Sequence, residues 1–190
     1  MRAPPSRLRS RPLRLALHLG LGLAVLGSAC IEASPWDDRS PPPRRTASDP
    51  AAPKRTATAP AHGFNEAIAW RSLDEGLAEA KAEHRPLMLV VHASWCDRCK
   101  ELKPKFQEPR IEELSESFVM VNADQDLTPA VLALGPDGQY LPRVLFLDPI
   151  TGQPDADLMN PTRERYHYYY GPRDDLAGMM EKALARHGKS

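Results

Sequence analysis

Two cysteines spaced by two residues, Cys96-Asp97-Arg98-Cys99, stand just after Trp95 and after the apolar run Leu87-Met88-Leu89-Val90-Val91. The run reads as a strand, and the residues from Cys96 onward read as a helix that it feeds. A thiol at a helix start faces backbone N–H groups that have no partner within the helix. These favour the thiolate and lower the thiol pKa. A cysteine three residues later lies on the same face, one turn on. That spacing suits a disulfide, whose Cα atoms sit about 5.5 Å apart. The chemistry open to this pair is reversible exchange between dithiol and disulfide. Arg98 should favour a thiolate at Cys96 and Asp97 should oppose it, so the two nearly cancel and no potential follows from them.

Other uses of the same pair are weaker. Structural zinc takes four ligands, commonly two pairs, and the chain offers one pair with no closely spaced histidines. No metal and no organic cofactor are assigned. A static disulfide is the plain alternative, although so short a loop gains little from closure entropy. His92 could relay protons, but a histidine at a strand end is more often packed and hydrogen-bonded. The tyrosine-rich stretch Tyr166–Tyr170 suits a sheet edge packed on one face more than a peptide-binding surface.

The elements that must carry the cysteines follow from pattern. Ala67–Trp70 reads as a short strand. Ser72 and Glu75 form a capping box for a helix running to about Glu83, with Leu73, Leu77 and Ala80 inward. Leu87–His92 is apolar enough to be buried on both faces, as in a central parallel strand. The helix from Cys96 runs to about Gln107 and is kinked by Pro104. Pro109 opens a helical piece, Arg110–Ser117. Strands follow at Phe118–Asn122, Val144–Leu147 and Tyr166–Tyr170, with a turn at Pro136–Gln139. Pro172 opens a last helix with Leu176, Met179, Met180, Ala183 and Leu184 at helical spacing. This order predicts an α/β domain, a central mixed sheet with helices on both faces.

With these elements in register, the chain resembles the thioredoxin superfamily. It is most similar to the small single-domain thioredoxin-like proteins of the endoplasmic reticulum, the anterior-gradient proteins among them. The resemblance is carried by Pro86-Leu87-Met88, by His92-x-Ser94-Trp95-Cys96-x-x-Cys99-Lys100, by Leu102-Lys103-Pro104-Lys105-Phe106, by Phe118–Asn122 and by Pro136–Pro149. It implies a thioredoxin-like fold in which Cys96 is the exposed nucleophile and Cys99 the buried resolving thiol. It implies that Pro142 is a cis-proline, which brings the backbone of Leu141 beside the nucleophile to receive a substrate chain. Trp95 is expected to shield the disulfide and pack on the domain. The partners implied are protein thiols and disulfides, and a redox partner that resets the pair. A second implied reading is a non-catalytic binding or chaperone module of anterior-gradient type. The resemblance has two gaps. Val90 stands where many thioredoxins place a buried Asp, and Met120 where a buried Lys is usual.

The first third of the chain is of another kind. Arg2, Arg7, Arg9, Arg11 and Arg14 precede an apolar run of 12 residues, Leu15–Leu26, and small residues lead to Cys30. The run is shorter than the roughly 20 residues that span a membrane, so residues 1–29 are expected to be a cleaved export signal of lipoprotein type, with ordinary cleavage after Gly27-Ser28-Ala29 as the alternative. Lipid on Cys30 would then hold the protein at a membrane. Residues 30–62 hold seven prolines between Pro35 and Pro60 and no apolar period. They are expected to be a disordered spacer, with the thioredoxin-like domain at 63–190. There is no reticulum-retention sequence at the end, so a bacterial periplasm or cell envelope is the expected location. Charge divides at the same place. Residues 1–62 carry 10 basic and 4 acidic side chains, a net +6, and residues 63–190 carry 15 and 21, a net −6. The acidic half shows no arginine-rich or aromatic-interleaved patch in sequence, so no nucleic acid is expected as partner.

Overall fold

The computed structural model describes residues 54–188. The expected signal segment, Cys30 and the greater part of the expected spacer lie outside the described residues.

The domain is built on four strands in the order β1–β3–β2–β4, where β1 is Trp70–Arg71, β2 Leu87–His92, β3 Val119–Asp124 and β4 Arg143–Leu147. β1 and β2 both pair parallel with β3, and β4 runs antiparallel to β2. The mixed sheet agrees with expectation. The unbroken apolar run of β2 has the expected cause, since all six of its residues are buried. Met88 and Val90 enter the core on one face, and Leu87, Leu89 and Val91 enter the core on the other. A central strand covered on both sides needs no polar alternation.

Helices cover both faces. α1 (Leu73–Glu83) lies on the face of Leu87, Leu89 and Val121. Its capping box forms: Ser72 Oγ accepts from the Glu75 amide, and the Glu75 carboxylate accepts from the Ser72 amide. Gly76 faces β3 at a point where a Cβ would come 2.2 Å from Val121 Cγ2. Only glycine lets helix and strand approach this closely, although it weakens an isolated helix. On the opposite face lie α2 (Asp97–Leu102), α3 (Pro109–Ser115) and α4 (Leu176–His187). Leu102, Phe106, Ile111, Leu114, Met180 and Ala183 meet Met88, Val90, Met120 and Phe146 there.

Three expectations are corrected. Tyr166–Tyr170 is not a strand. Tyr166 adopts φ 58°, a left-handed conformation that ends strand geometry, and a turn closes from Tyr169 N–H to Tyr166 O. One bond to the sheet survives, from Val144 N–H to Tyr168 O at 2.8 Å. Tyr168 and Tyr170 are buried while Tyr166 is exposed. The last helix opens at Leu176 rather than at Pro172, because Asp175 caps it by accepting the Gly178 amide. The helix from Cys96 ends at Leu102 and continues as a 3-10 segment, Lys103–Gln107. Pro104 lies inside that segment, where a proline kink was expected.

The boundary expected at residue 63 also moves. Residues 54–62 pack on the domain. The Thr58 and Ala59 amides both donate to Trp70 O, at 2.9 and 3.2 Å. Asn122 donates to Ala61 O at 2.6 Å, and Arg71 donates to Thr56 O at 2.8 Å. Ala61 is buried in the core. The segment has no apolar period of its own, but its backbone groups have partners, and those partners lie far away in sequence.

Candidate disulfide-exchange site

β2 ends at His92, and a four-residue loop delivers Cys96 to the start of α2. Cys96 is the N-cap of that helix. Its Sγ accepts the Cys99 amide at 3.1 Å, and its carbonyl accepts the Cys99 and Lys100 amides. α2 has six residues, so the field of a long helix is not what acts on the sulfur. The Cys99 N–H does, at hydrogen-bond distance. The same donor would meet a thiolate on Cys96 and stabilise it.

Cys96 and Cys99 are joined as a disulfide with Cα atoms 5.2 Å apart. Cys96 keeps 6% of its surface exposed and Cys99 none. The order expected of nucleophile and resolving thiol is therefore possible, although Cys96 offers an edge and not an open face. The two sulfurs and Ala93 form a small apolar cluster against which Leu141 packs. The Leu141–Pro142 peptide is cis. Residues 45 positions apart in sequence are thus brought together, as the resemblance implied.

Trp95 differs from expectation. It is 62% exposed and is not packed into the domain. Its indole N–H donates to Asp126 Oδ2 at 2.7 Å, on the loop after β3. Asp126 is itself held by a turn in which the Asp124 carboxylate accepts its amide. The next residue, Leu127, is also exposed. Trp95 and Leu127 therefore both offer apolar surface near the redox helix. Neither Asp126 nor Leu127 carried a sequence signal, because their relation to Trp95 exists only once β3 lies beside β2.

The charges between the cysteines are neutralised locally. Asp97 pairs with Lys100 and Arg98 with Glu101, each at 2.8 Å. The hydrogen bond from Lys100 holds the Asp97 carboxyl below its usual pKa, and that to Glu101 raises Arg98. All four are exposed on one helix surface, so their net effect on Cys96 is small.

Val90 and Met120 are both fully buried. The titratable side chain on that face of β2 is His92, two residues beyond Val90. It is 2% exposed, and its Nε2 lies 2.7 Å from Asn122 Oδ1. Asn122 Nδ2 donates to Ala61 O, which fixes the amide orientation and makes His92 Nε2 the donor. Nδ1 then carries a lone pair with no protein partner among the described residues. Burial pushes the His92 pKa down. The Asn122 bond and Asp124 pull the other way, and His62 and Lys103 reinforce the fall.

This gives a pH dependence with a defined sign. His92 is neutral in the fold, and in the unfolded chain it takes up a proton near pH 6.5. Its contribution is complete above that pH. It is lost as pH falls from about 6.5 toward the depressed folded value, at up to about 1.4 kcal/mol per pH unit. His92→Gln keeps a donor for Asn122 and removes the titration. Urea melts at pH 7.5, 6.5 and 5.5 should show wild type losing stability relative to the variant as pH falls. Parallel pH profiles would reject the assignment.

Among the described residues, no three His, Cys, Asp or Glu side chains converge as a metal would require.

Residues 69–149 match the family described as thioredoxin-like. Anterior gradient protein 2-B of Xenopus laevis is 38% identical over 125 residues, which cover 64% of this chain and 74% of that protein. The human anterior gradient protein 2 homolog is 35% identical over 127 residues, 64% of this chain and 70% of its own length. Among solved structures, a thioredoxin from Thermus thermophilus superposes with a TM-score of 0.48 at 21% identity, covering 63% of this chain and 88% of that one.

Proposed function

The chain belongs to the thioredoxin-like family, alongside the anterior gradient proteins, and from that premise we propose that it is a protein thiol–disulfide oxidoreductase using Cys96 and Cys99. The observation that carries the reading is the bonded pair at the start of α2, with Cys96 slightly exposed, Cys99 fully buried, and the cis Leu141–Pro142 peptide beside them.

In the oxidised state a client thiolate attacks Cys96 Sγ. The Cys96–Cys99 bond breaks and Cys99 leaves as a thiolate that takes a proton. A second client thiolate then attacks the client sulfur of the mixed disulfide and releases Cys96 as a thiolate. The client gains a disulfide, and the pair gains two electrons and carries one proton on Cys99. The same steps in reverse reduce a client. A protein dithiol or disulfide partner must return the pair to its starting state. Leu141, Pro142 and Trp95 are the residues proposed to meet the client chain. Val90 and Met120 offer no proton relay, so protons reach Cys99 through water or through another side chain.

The assay is insulin reduction with dithiothreitol as electron source. The full chain should accelerate it. A rate equal to that with dithiothreitol alone would leave the alternative, a module that holds partners without exchanging disulfides.

The proposed site of action is a bacterial cell envelope, with the domain tethered by lipid on Cys30. The support is the basic start, the 12-residue apolar run and the small residues before Cys30. A fatty-acid probe should label the chain in a bacterial host, and Cys30→Ser should abolish the label. A label that persists in Cys30→Ser would reject the tether.

A further inference from the structure

A groove of about 630 Å³ opens beside the redox helix. Arg98 and Glu101 of α2 form one wall, and the segment after β4 supplies Arg163, Arg165, Tyr166, Tyr169 and Arg173. The volume falls within the range of ligand sites. Its charge is opposite to that of its surroundings: four guanidinium groups meet in a region that carries 21 acidic and 15 basic side chains overall. Two of the four are engaged. Arg98 pairs with Glu101, and Arg163 pairs with Asp174 while lying 4.9 Å over the Tyr169 ring. Arg165 and Arg173 are exposed and have no ion pair or hydrogen-bond partner among the described residues. Tyr166 presents a 57% exposed ring between them in the chain, braced at 4.6 Å by Tyr140.

We propose that this groove docks acidic segments of client proteins, binding the Asp and Glu side chains that flank the client cysteine. The proposal rests on the disulfide-exchange reading and names its substrate class. Arg98 lies between the two cysteines in sequence and lines the groove, so one wall of the groove belongs to the short helix that Cys96 caps. Guanidinium groups bind carboxylates in forked pairs, and tyrosine rings add apolar contact at low conformational cost. In a domain with 21 acidic and 15 basic side chains the groove is a local basic site that suits a short acidic segment.

The test uses the oxidised full chain and three dithiol peptides of one length, whose cysteines are flanked by Asp/Glu, by Ser or by Lys. At low ionic strength kcat/KM for the acidic peptide should exceed that for the lysine peptide by about tenfold, the scale of two exposed ion pairs. High salt should erase the difference. R165E/R173E should reverse the preference, whereas R165K/R173K should weaken it without changing its sign. Equal rates for acidic and lysine peptides, or a preference that survives R165E/R173E, would overturn the proposal. Fluorescence anisotropy with a cysteine-free acidic peptide separates this from the chemistry. Binding that depends on Arg165 and Arg173 without any exchange would keep the groove and reject the oxidoreductase reading. Exchange of the serine peptide without such binding would do the reverse.

Discussion

Cys96→Ser is expected to abolish disulfide exchange, with insulin reduction falling to the rate with dithiothreitol alone. The size of the effect follows from the burial asymmetry. Cys99 has no exposed surface, so it cannot meet a client sulfur directly. Cys96 is the one residue of the pair with any exposed surface, and a serine hydroxyl at that position forms no bond to a client sulfur. The fold should survive the change. A disulfide spanning three positions contributes at most about 2 kcal/mol through closure entropy. The two cores on either side of β2 do not depend on it. Far-UV circular dichroism and a urea melt should therefore show a folded variant. Cys99→Ala completes the argument. It leaves Cys96 able to attack, with no second thiol to resolve the product, so mixed disulfides with client proteins should accumulate on non-reducing gels. If Cys99→Ala trapped nothing while partners still bound to Cys96→Ser, the pair would be a structural staple in a holding module.

The site was legible in the sequence wherever its residues are close together or bound by a strong local rule. Cys96 and Cys99 are three positions apart. The capping box of Ser72 and Glu75 is equally local, and it formed. The doubly buried strand β2 announced itself by having no polar face. The pairing of Leu141–Pro142 with the cysteines came from the family pattern alone, since no spacing rule connects positions 45 residues apart. What could not be read were relations created by the sheet. Asp126 meets the Trp95 indole only because β3 and β2 are parallel neighbours, in register at Val91 and Ala123. Asn122 orients His92 for the same reason. The tyrosine stretch failed in the other direction. Its residue types favour strands, but Tyr166 turns left-handed and the chain leaves the sheet. Three of the groove's four arginines, Arg163, Arg165 and Arg173, stand close together among tyrosines, contrary to the expectation of no arginine-rich or aromatic-interleaved patch, and only the fold brings Arg98 of α2 to them.

A chain that begins at residue 63 is expected to be less stable than one that begins at residue 54 by about 3–5 kcal/mol. The proline-rich composition before Gly63 reads as a spacer, and deletion to that point would look harmless. The contacts argue otherwise. Removing residues 54–62 takes away the acceptor Ala61 O and leaves the buried Asn122 amide without it. An unmet buried donor costs about 1–3 kcal/mol. It also frees Asn122 to rotate, and with it the bond that fixes the His92 tautomer. Trp70 O loses both amide donors, and Arg71 loses the Thr56 carbonyl. The buried Ala61 and the partly buried Ala59 cease to cover the cluster of Phe64, Trp70 and Phe106. Total stabilities of such domains are about 5–15 kcal/mol, so the shorter chain should melt at clearly lower urea concentration and show weak amide protection in β3. His92 links this loss to the site. With Asn122 released, the imidazole gains access to water and its pKa rises toward the ordinary value. The pH dependence that distinguishes wild type from His92→Gln should then shrink in the shorter chain. Equal urea midpoints for chains starting at 54 and 63 would return residues 54–62 to the role of spacer.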